Sequence, residues 1–449
     1  MFWPLTLAML ALLGTATSYA YRRSRDVFHP LVYLSPMLAF LYCYMPWNAA
    51  IDGGLYDYLS SEVLAFSQTV HLLGAAALVV GVLVGARPMP RAFRHTTVTT
   101  GRSWRAASAI GLLSLAAFGY GVASVGGFEQ AYGRAYGGGW SQSGYVRDLV
   151  NLGLPAAAYL VAPTVGAGAL LQYGMAITVA SPFLIHGLLG ARRGPTFMIL
   201  AGIATSWFLT RGKRPSATVI AVAGALLGLG LLFLVANRSN IYLGSDWQLE
   251  RTPTEMLEAG GGNEFVYSSG LIADTWDANS FTWGARYAVT LFVRPIPRAL
   301  WPNKYLVASE VLGLPSMEEN LGIDYRGMRR LVGWEGAVGA APGIIADLWT
   351  EFSWVALALL LAIGYLYGWV WRRTAQGGGP WAIVYSVMVA LSIFLVMQTL
   401  EAWLVRLLEM GFAVALLSRV RQAKRPQDVL AALSRRWEGK RRGRREVRG

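Results

Sequence analysis

Apolar residues along this chain come in long unbroken runs, and polar residues gather between them. The runs fall at about 1–20, 29–48, 63–86, 106–125, 148–170, 174–190, 195–210 and 216–236, then resume at 343–371, 381–400 and 403–418. Each approaches the roughly 20 residues that an α-helix needs to cross the hydrocarbon core of a bilayer. The pattern therefore predicts an all-α polytopic membrane protein with about 11 transmembrane helices, organised in four stretches. Residues 1–236 would carry eight helices, 237–342 a long loop, 343–418 three more helices, and 419–449 a polar tail. Many of the 51 glycines lie inside the runs, where small residues let helices approach closely.

The basic residues between the runs give the orientation. The first run has no positive segment ahead of it, and Arg22-Arg23-Ser24-Arg25 follows it, which suits an uncleaved span with its N-terminus outside rather than a secretion signal. The connections on the inner side are then 21–28, 87–105, a tight turn near Gln172, 211–215, 372–380 and the tail. All but the turn at Gln172 are rich in Arg and Lys, as the positive-inside rule requires. The outer connections are 49–62, 126–147, 191–194 and the 106-residue interval 237–342, far longer than an ordinary connection. Within that interval, 284–301 is apolar enough for a short interfacial helix ended by Arg294-Pro295 and Pro297.

Composition agrees with this layout: 55% of residues are hydrophobic, 14% are charged, and the mean hydropathy is +0.41. A soluble enzyme, a DNA-binding domain and a disulfide-stapled secreted module are excluded. The net charge of +14 is not a nucleic-acid signal, because residues 419–449 hold 12 Lys and Arg against 3 Asp and Glu. Such a tail lies naturally on anionic membrane lipid. Cys43 is the chain's one cysteine, so no intramolecular disulfide forms.

Ionisable side chains are scarce inside the runs. His71 and His186 lie deep among the first eight, where a lone histidine is ordinarily a packing hydrogen-bond donor. Arg406 and Glu409, three apart in the last run, are expected to pair on one helix face. Charge gathers instead on the outer side. Arg192 and Arg193 sit in a very short outer turn, either snorkelling to lipid headgroups or chelating a phosphate. Arg286, Arg294, Arg298 and Lys304 fall within 19 residues, among Trp283, Tyr287, Phe292, Trp301 and Tyr305. Arg326, Arg329 and Arg330 follow, then Glu335, Asp347 and Glu351; the last two, four apart, would face the same way on a helix. Those carboxylates serve either to neutralise the arginines or as proton acceptors. No Asp-x-Asp occurs and the four histidines lack metal-ligand spacing, so no metal or other cofactor is expected.

Two stretches carry a family resemblance. Phe281-Thr282-Trp283-Gly284-Ala285-Arg286-Tyr287, followed by Ile296-Pro297-Arg298-Ala299-Leu300-Trp301-Pro302-Asn303-Lys304, resembles the loop signature of bacterial O-antigen (Wzy-type) repeat-unit polymerases. Pro342 to Phe352 is similar to the element that leads into the family's next span, with Asp347 where Glu is usual, Glu351 in an Asn position and Ser353 in a Gly position. Tyr305 stands where the family has Pro, and Arg193-Gly194 resembles a pair shared with O-antigen ligases.

The resemblance implies a metal-independent GT-C-type glycosyltransferase of the bacterial inner membrane, with the long loop periplasmic. Its substrates would be undecaprenyl-diphosphate-linked oligosaccharides, and a chain-length regulator and a flippase would be possible partners. Arg298 would stabilise the diphosphate leaving group, with Arg192, Arg193, Arg286, Arg294, Lys304, Arg326, Arg329 and Arg330 around it. Trp301 and Tyr287 would line the cleft, and Asp347 or Glu335 would accept the acceptor hydroxyl's proton. An O-antigen ligase is the nearest alternative, although 237–342 lacks the loop histidine of ligases. A lipid-linked oligosaccharide flippase is another, and it would want more polar groups in mid-membrane.

Overall fold

A backbone in hydrocarbon has to satisfy its own hydrogen bonds, and this chain does so by coiling its apolar runs into helices. The computed structural model describes residues 1–51, 54–90, 101–134, 140–164, 168–190, 192–237, 239–247, 263–298, 300–314 and 341–419, and among these there is no β-strand element. Seven helical segments among the described residues are long and apolar enough to cross a membrane: Phe2–Ser24, Ser61–Gly85, Arg102–Ser124, Ala169–Leu188, Ala217–Leu234, Gly343–Gly377 and Pro380–Met397. The chain is thus an all-α, multi-pass membrane protein.

The other predicted runs are helical as well, some interrupted and some less apolar. Residues 29–48 become Pro30–Ala39, a π-helical turn Phe40–Tyr44 and Met45–Ile51, while 195–210 and 403–418 become Arg193–Thr210 and Leu400–Arg419. The stretch 148–170 is not one span. A 3-10 helix, Trp140–Leu152, passes into a buried α-helix of eight residues, Gly153–Leu160, which stops ahead of Pro163, a residue that cannot continue a helix. No turn falls at Gln172, which is in the first turn of Ala169–Leu188 and whose amide donates back to the Ala162 carbonyl at 3.3 Å. Arg406 and Glu409 do not form an ion pair either. Arg406 reaches back along its helix to the Ala402 carbonyl at 2.7 Å, with its guanidinium 4.3 Å from the centre of the Phe394 ring, and Glu409 accepts from Asn151 at 2.8 Å.

Ser61–Gly85 and Ala356–Gly377 pack backbone against backbone. Gly81 and Gly85 line the seam on one side, Gly364 and Gly368 on the other, each pair four residues apart. A methyl group at any of the four would overlap a backbone carbonyl oxygen of the facing helix: Leu361 and Tyr365 on one side, Leu78 and Val82 on the other. Each glycine costs its helix about 1 kcal/mol relative to alanine. Contact between bare backbones offsets that cost, and such contact drives association where lipid is as apolar as leucine.

This seam fixes the long apolar stretch 343–377, which is too long for one straight span. It breaks at Ser353 (φ 51°, ψ −136°) into Gly343–Phe352 and Ala356–Gly377. The first piece is buried from Gly343 through Glu351 and packs against Ser61–Gly85, Glu264–Asp277 and Pro380–Met397. Two carboxylates therefore enter the interior on a helix held from several sides. By contrast, Ala217–Ala236 leaves most of its side chains exposed, which suits a face solvated by lipid.

Gly364→Leu should force the two backbones apart and destabilise the protein by about 1–3 kcal/mol. Thermal unfolding of the purified protein in detergent, followed by loss of the monodisperse species, would show it. Gly119→Leu is the control, because a side chain there meets open space.

Candidate functional site

Asp347 and Glu351 are one helical turn apart, so both carboxylates leave the Gly343–Phe352 helix on the same side. The segment from 282 to 287 lies across them. The Thr282 and Trp283 amides donate to the carbonyls of Thr350 (3.4 Å) and Glu351 (2.7 Å), and the Gly284 amide donates to Glu351 Oε2 at 2.8 Å. Gly284 makes this turn possible: its φ is 85°, and a side chain there would press on the Phe352 ring. Immediately after it the chain turns into the short helix Ala285–Ala288, which aims Arg286 and Tyr287 at the carboxylates.

Arg286 bridges both. Its Nη2 donates to Asp347 Oδ1 at 3.0 Å and its Nε to Glu351 Oε1. Tyr287 donates to Asp347 Oδ2 at 2.6 Å, and the Leu400 amide donates to the same oxygen at 2.8 Å. The three charged side chains are 8%, 1% and 0% exposed. Burial opposes the charge on Arg286, but the two carboxylates outweigh it and hold the guanidinium protonated well above its ordinary range. Burial, then the Asp347 charge, pushes the Tyr287 hydroxyl up in turn, so it stays a donor.

Beyond Ala288 the helix continues as a π-helical turn, Val289–Val293, and ends at Arg294, ahead of Pro295. The helix expected within 284–301 thus ends at Arg294-Pro295, as proline's missing N–H requires. Lys304 caps this end: its ammonium is fully buried and donates to the carbonyls of Val293 (3.2 Å), Arg294 (2.7 Å) and Ile296. Arg294 pairs with Asp148 of the 3-10 helix at 3.3 Å, both half-buried. Thr290 donates to Glu401 Oε2 at 3.0 Å.

The sequence-expected residues thus separate by role. Arg286, Tyr287 and Asp347 come together, but each is buried and engaged by protein partners, as is Lys304. In this arrangement they hold the 282–304 segment in place. Asp347, read from sequence as a proton acceptor, has three donors on its two oxygens. Arg298 is exposed, its guanidinium 5.6 Å from the centre of the Tyr305 ring, and Trp301 is half-buried nearby. Arg192 is exposed ahead of Arg193–Thr210; Arg193 begins that helix, and its side chain lies outside the described residues. Glu335, Arg326, Arg329 and Arg330 also lie outside them.

Glu401 was missed by the sequence reading. It is half-buried, and among the described residues only Thr290 hydrogen-bonds to it. The available signal was an acidic residue just ahead of the last apolar run. No protein-family model matches this chain, and neither a curated protein nor a solved structure is detectably similar to it.

Removing Arg286 would leave two buried carboxylates unpaired. Arg286→Met should cost about 3–5 kcal/mol, and Arg286→Lys should recover little, since an ammonium cannot span both carboxylates as a planar fork does. Arg298→Ala, at an exposed position, should stay within about 0.5 kcal/mol of the parent. Melting temperatures of the three purified variants test this ordering.

Proposed function

We propose that the chain polymerises lipid-linked oligosaccharide repeat units: a growing glycan is transferred from its isoprenoid diphosphate carrier to a sugar hydroxyl of the next unit. The supporting observation is that the two stretches resembling the repeat-unit polymerases, around Phe281–Tyr287 and Pro342–Phe352, meet as one buried cluster through Arg286, Asp347 and Glu351. Residues about 60 positions apart thus act as one unit, as a shared site requires. The segment that carries Arg286 continues to a half-buried and an exposed cation, Arg294 and Arg298, and its Thr290 bonds to a half-buried carboxylate, Glu401.

In this reading the buried cluster is the frame and the outer groups carry the chemistry. As the anomeric C–O bond breaks, negative charge grows on the diphosphate leaving group. Preorganised guanidinium groups stabilise that charge more in the transition state than in the bound substrate. Arg298 is the candidate for this role, with Arg192 and Arg294 as further cations on the side of the chain that we place in the periplasm. Lys304 keeps the Arg294–Arg298 turn in shape by capping the helix before it. The incoming hydroxyl must lose a proton, and Glu401 has the accessible carboxylate that Asp347 lacks, so Glu401 takes the role first given to Asp347. Confinement of both lipid-linked substrates to one bilayer adds the advantage of proximity.

The direct test is reconstitution of purified protein with lipid-linked repeat units alone, in EDTA, read on a gel for a ladder of products. A ladder is expected; silence, with transfer appearing only on addition of lipid A-core, makes the protein a ligase, and silence in both moves it to transport. Arg298→Ala should abolish the ladder at unchanged abundance in the membrane. Glu401→Gln should slow turnover by about 10²–10⁴-fold with donor binding nearly intact, whereas Asp347→Asn should lower the melting temperature instead. A normal ladder from Glu401→Gln would remove that residue from the mechanism.

A further inference from the structure

Next to the buried ionic cluster lies a nest of aromatic rings that the reaction scheme above does not use. The Trp349 ring is at its centre, fully buried, 4.8 Å from Trp354, 5.8 Å from Trp276 and 6.2 Å from Phe281 between ring centres. Phe281 in turn lies 6.3 Å from Trp283. The outer members are open: Trp276, Trp283 and Trp354 are 43%, 64% and 44% exposed.

Two polar atoms inside this apolar nest have no hydrogen-bond partner among the described residues, the indole Nε1 of Trp349 and the Oγ1 of Thr282, and both are buried. An unmet buried donor is costly, and it marks a place where an incoming group with lone pairs would be welcome. Exposed Asp277, Asn279 and Ser280 lie in sequence between Trp276 and Trp283, so hydrogen-bonding groups alternate with indole faces. Trp283 also has a left-handed backbone (φ 51°), a conformation that a bulky residue adopts only when its surroundings impose it. The imposing contacts are the amides of Trp283 and Gly284, both bonded to Glu351. The ring is thereby held outward from the same residue that anchors Arg286.

We propose that Trp276, Trp283 and Trp354 around Trp349 form a saccharide-binding platform, on which the apolar face of a pyranose ring stacks while its hydroxyls meet the Trp349 N–H and the Thr282 hydroxyl. A sugar supplies both halves of this chemistry, a flat C–H face for the indoles and acceptor oxygens for the buried N–H. Bilayer headgroups, the other ordinary companions of exposed tryptophan, need neither the strained Trp283 backbone nor an unmet donor in the interior. The proposal rests on the glycosyl-transfer reading only for the chemical class of the ligand. The platform would hold the sugar end of a substrate whose diphosphate end lies toward Arg298.

The test uses the full-length protein in nanodiscs with methyl glucoside, methyl galactoside and methyl N-acetylglucosaminide as probes, read by saturation-transfer NMR. Transfer to the ring C–H protons of at least one sugar is expected. Trp283→Ala and Trp276→Ala should each weaken that sugar about tenfold, while Trp283→Tyr and Arg298→Ala retain it. Because Trp283 is largely exposed, its replacement should leave the melting temperature unchanged. Absence of transfer from every sugar, or transfer indifferent to both alanine variants, overturns the platform. So does the membrane outcome, in which headgroup-brominated lipid quenches the wild type more than Trp283→Phe and no sugar binds. Sugar binding on these tryptophans without a product ladder keeps the platform and removes the polymerase; a ladder indifferent to Trp283→Ala does the reverse.

Discussion

The arrangement around the buried Gly343–Phe352 helix depends on one guanidinium. Arg286 joins a carboxylate on each turn of a buried helix to a loop that is otherwise tied there by a few backbone hydrogen bonds. A planar fork with several donors can satisfy two carboxylates at once, and in a setting of low dielectric that pairing is strong only when every oxygen is used. Here the amides of Gly284 and Leu400 and the Tyr287 hydroxyl complete the shell. The Leu400 amide matters beyond its single bond, because it ties the first turn of Leu400–Arg419 to the helix that carries Asp347. Three segments of chain are thereby referred to one point.

That point needs a rigid support, and the glycine seam provides it. With Gly81, Gly85, Gly364 and Gly368 in register, two backbones lie in direct contact along the lower part of the 343–377 stretch. The upper part is then free to bend at Ser353 and enter the interior. The break does two things. It turns Asp347 and Glu351 toward Arg286, and it brings Trp349 and Trp354 together at 4.8 Å, so the ionic cluster and the aromatic nest share an origin. Chemistry that needs an open carboxylate or cation falls to residues outside this frame, because groups saturated by the protein have nothing left to offer a ligand. Lys304 is the clearest case: its position in a basic, aromatic stretch suggests phosphate binding, and its three donors are engaged by the carbonyls of a helix end.

Much of the architecture was legible from the runs of apolar residues. Helix type, the placement of Phe2–Ser24, Ser61–Gly85, Pro380–Met397 and their neighbours, and the end of the 285–293 segment at Pro295 all follow from hydrophobic length and from proline's missing N–H. The common face of Asp347 and Glu351 follows from the helical repeat. What the runs could not show was continuity. Residues 148–170 and 343–371 are each largely apolar, and apolarity does not distinguish a straight span from two helices meeting at a bend.

The division has a physical reason. Transfer of a segment into hydrocarbon is a sum over its own residues, so sequence alone determined that this is a helical membrane protein, and which stretches are buried in lipid or protein. The role of a charged residue depends instead on partners distant in the chain. By sequence Asp347 is equally a base or a counterion; in the structure Arg286, Tyr287 and Leu400 enclose it, while Glu401 is half-buried with Thr290 as its donor. Tertiary structure decided those surroundings, since a buried carboxylate is defined by the donors that reach it, and these come from segments about 50 to 60 residues away.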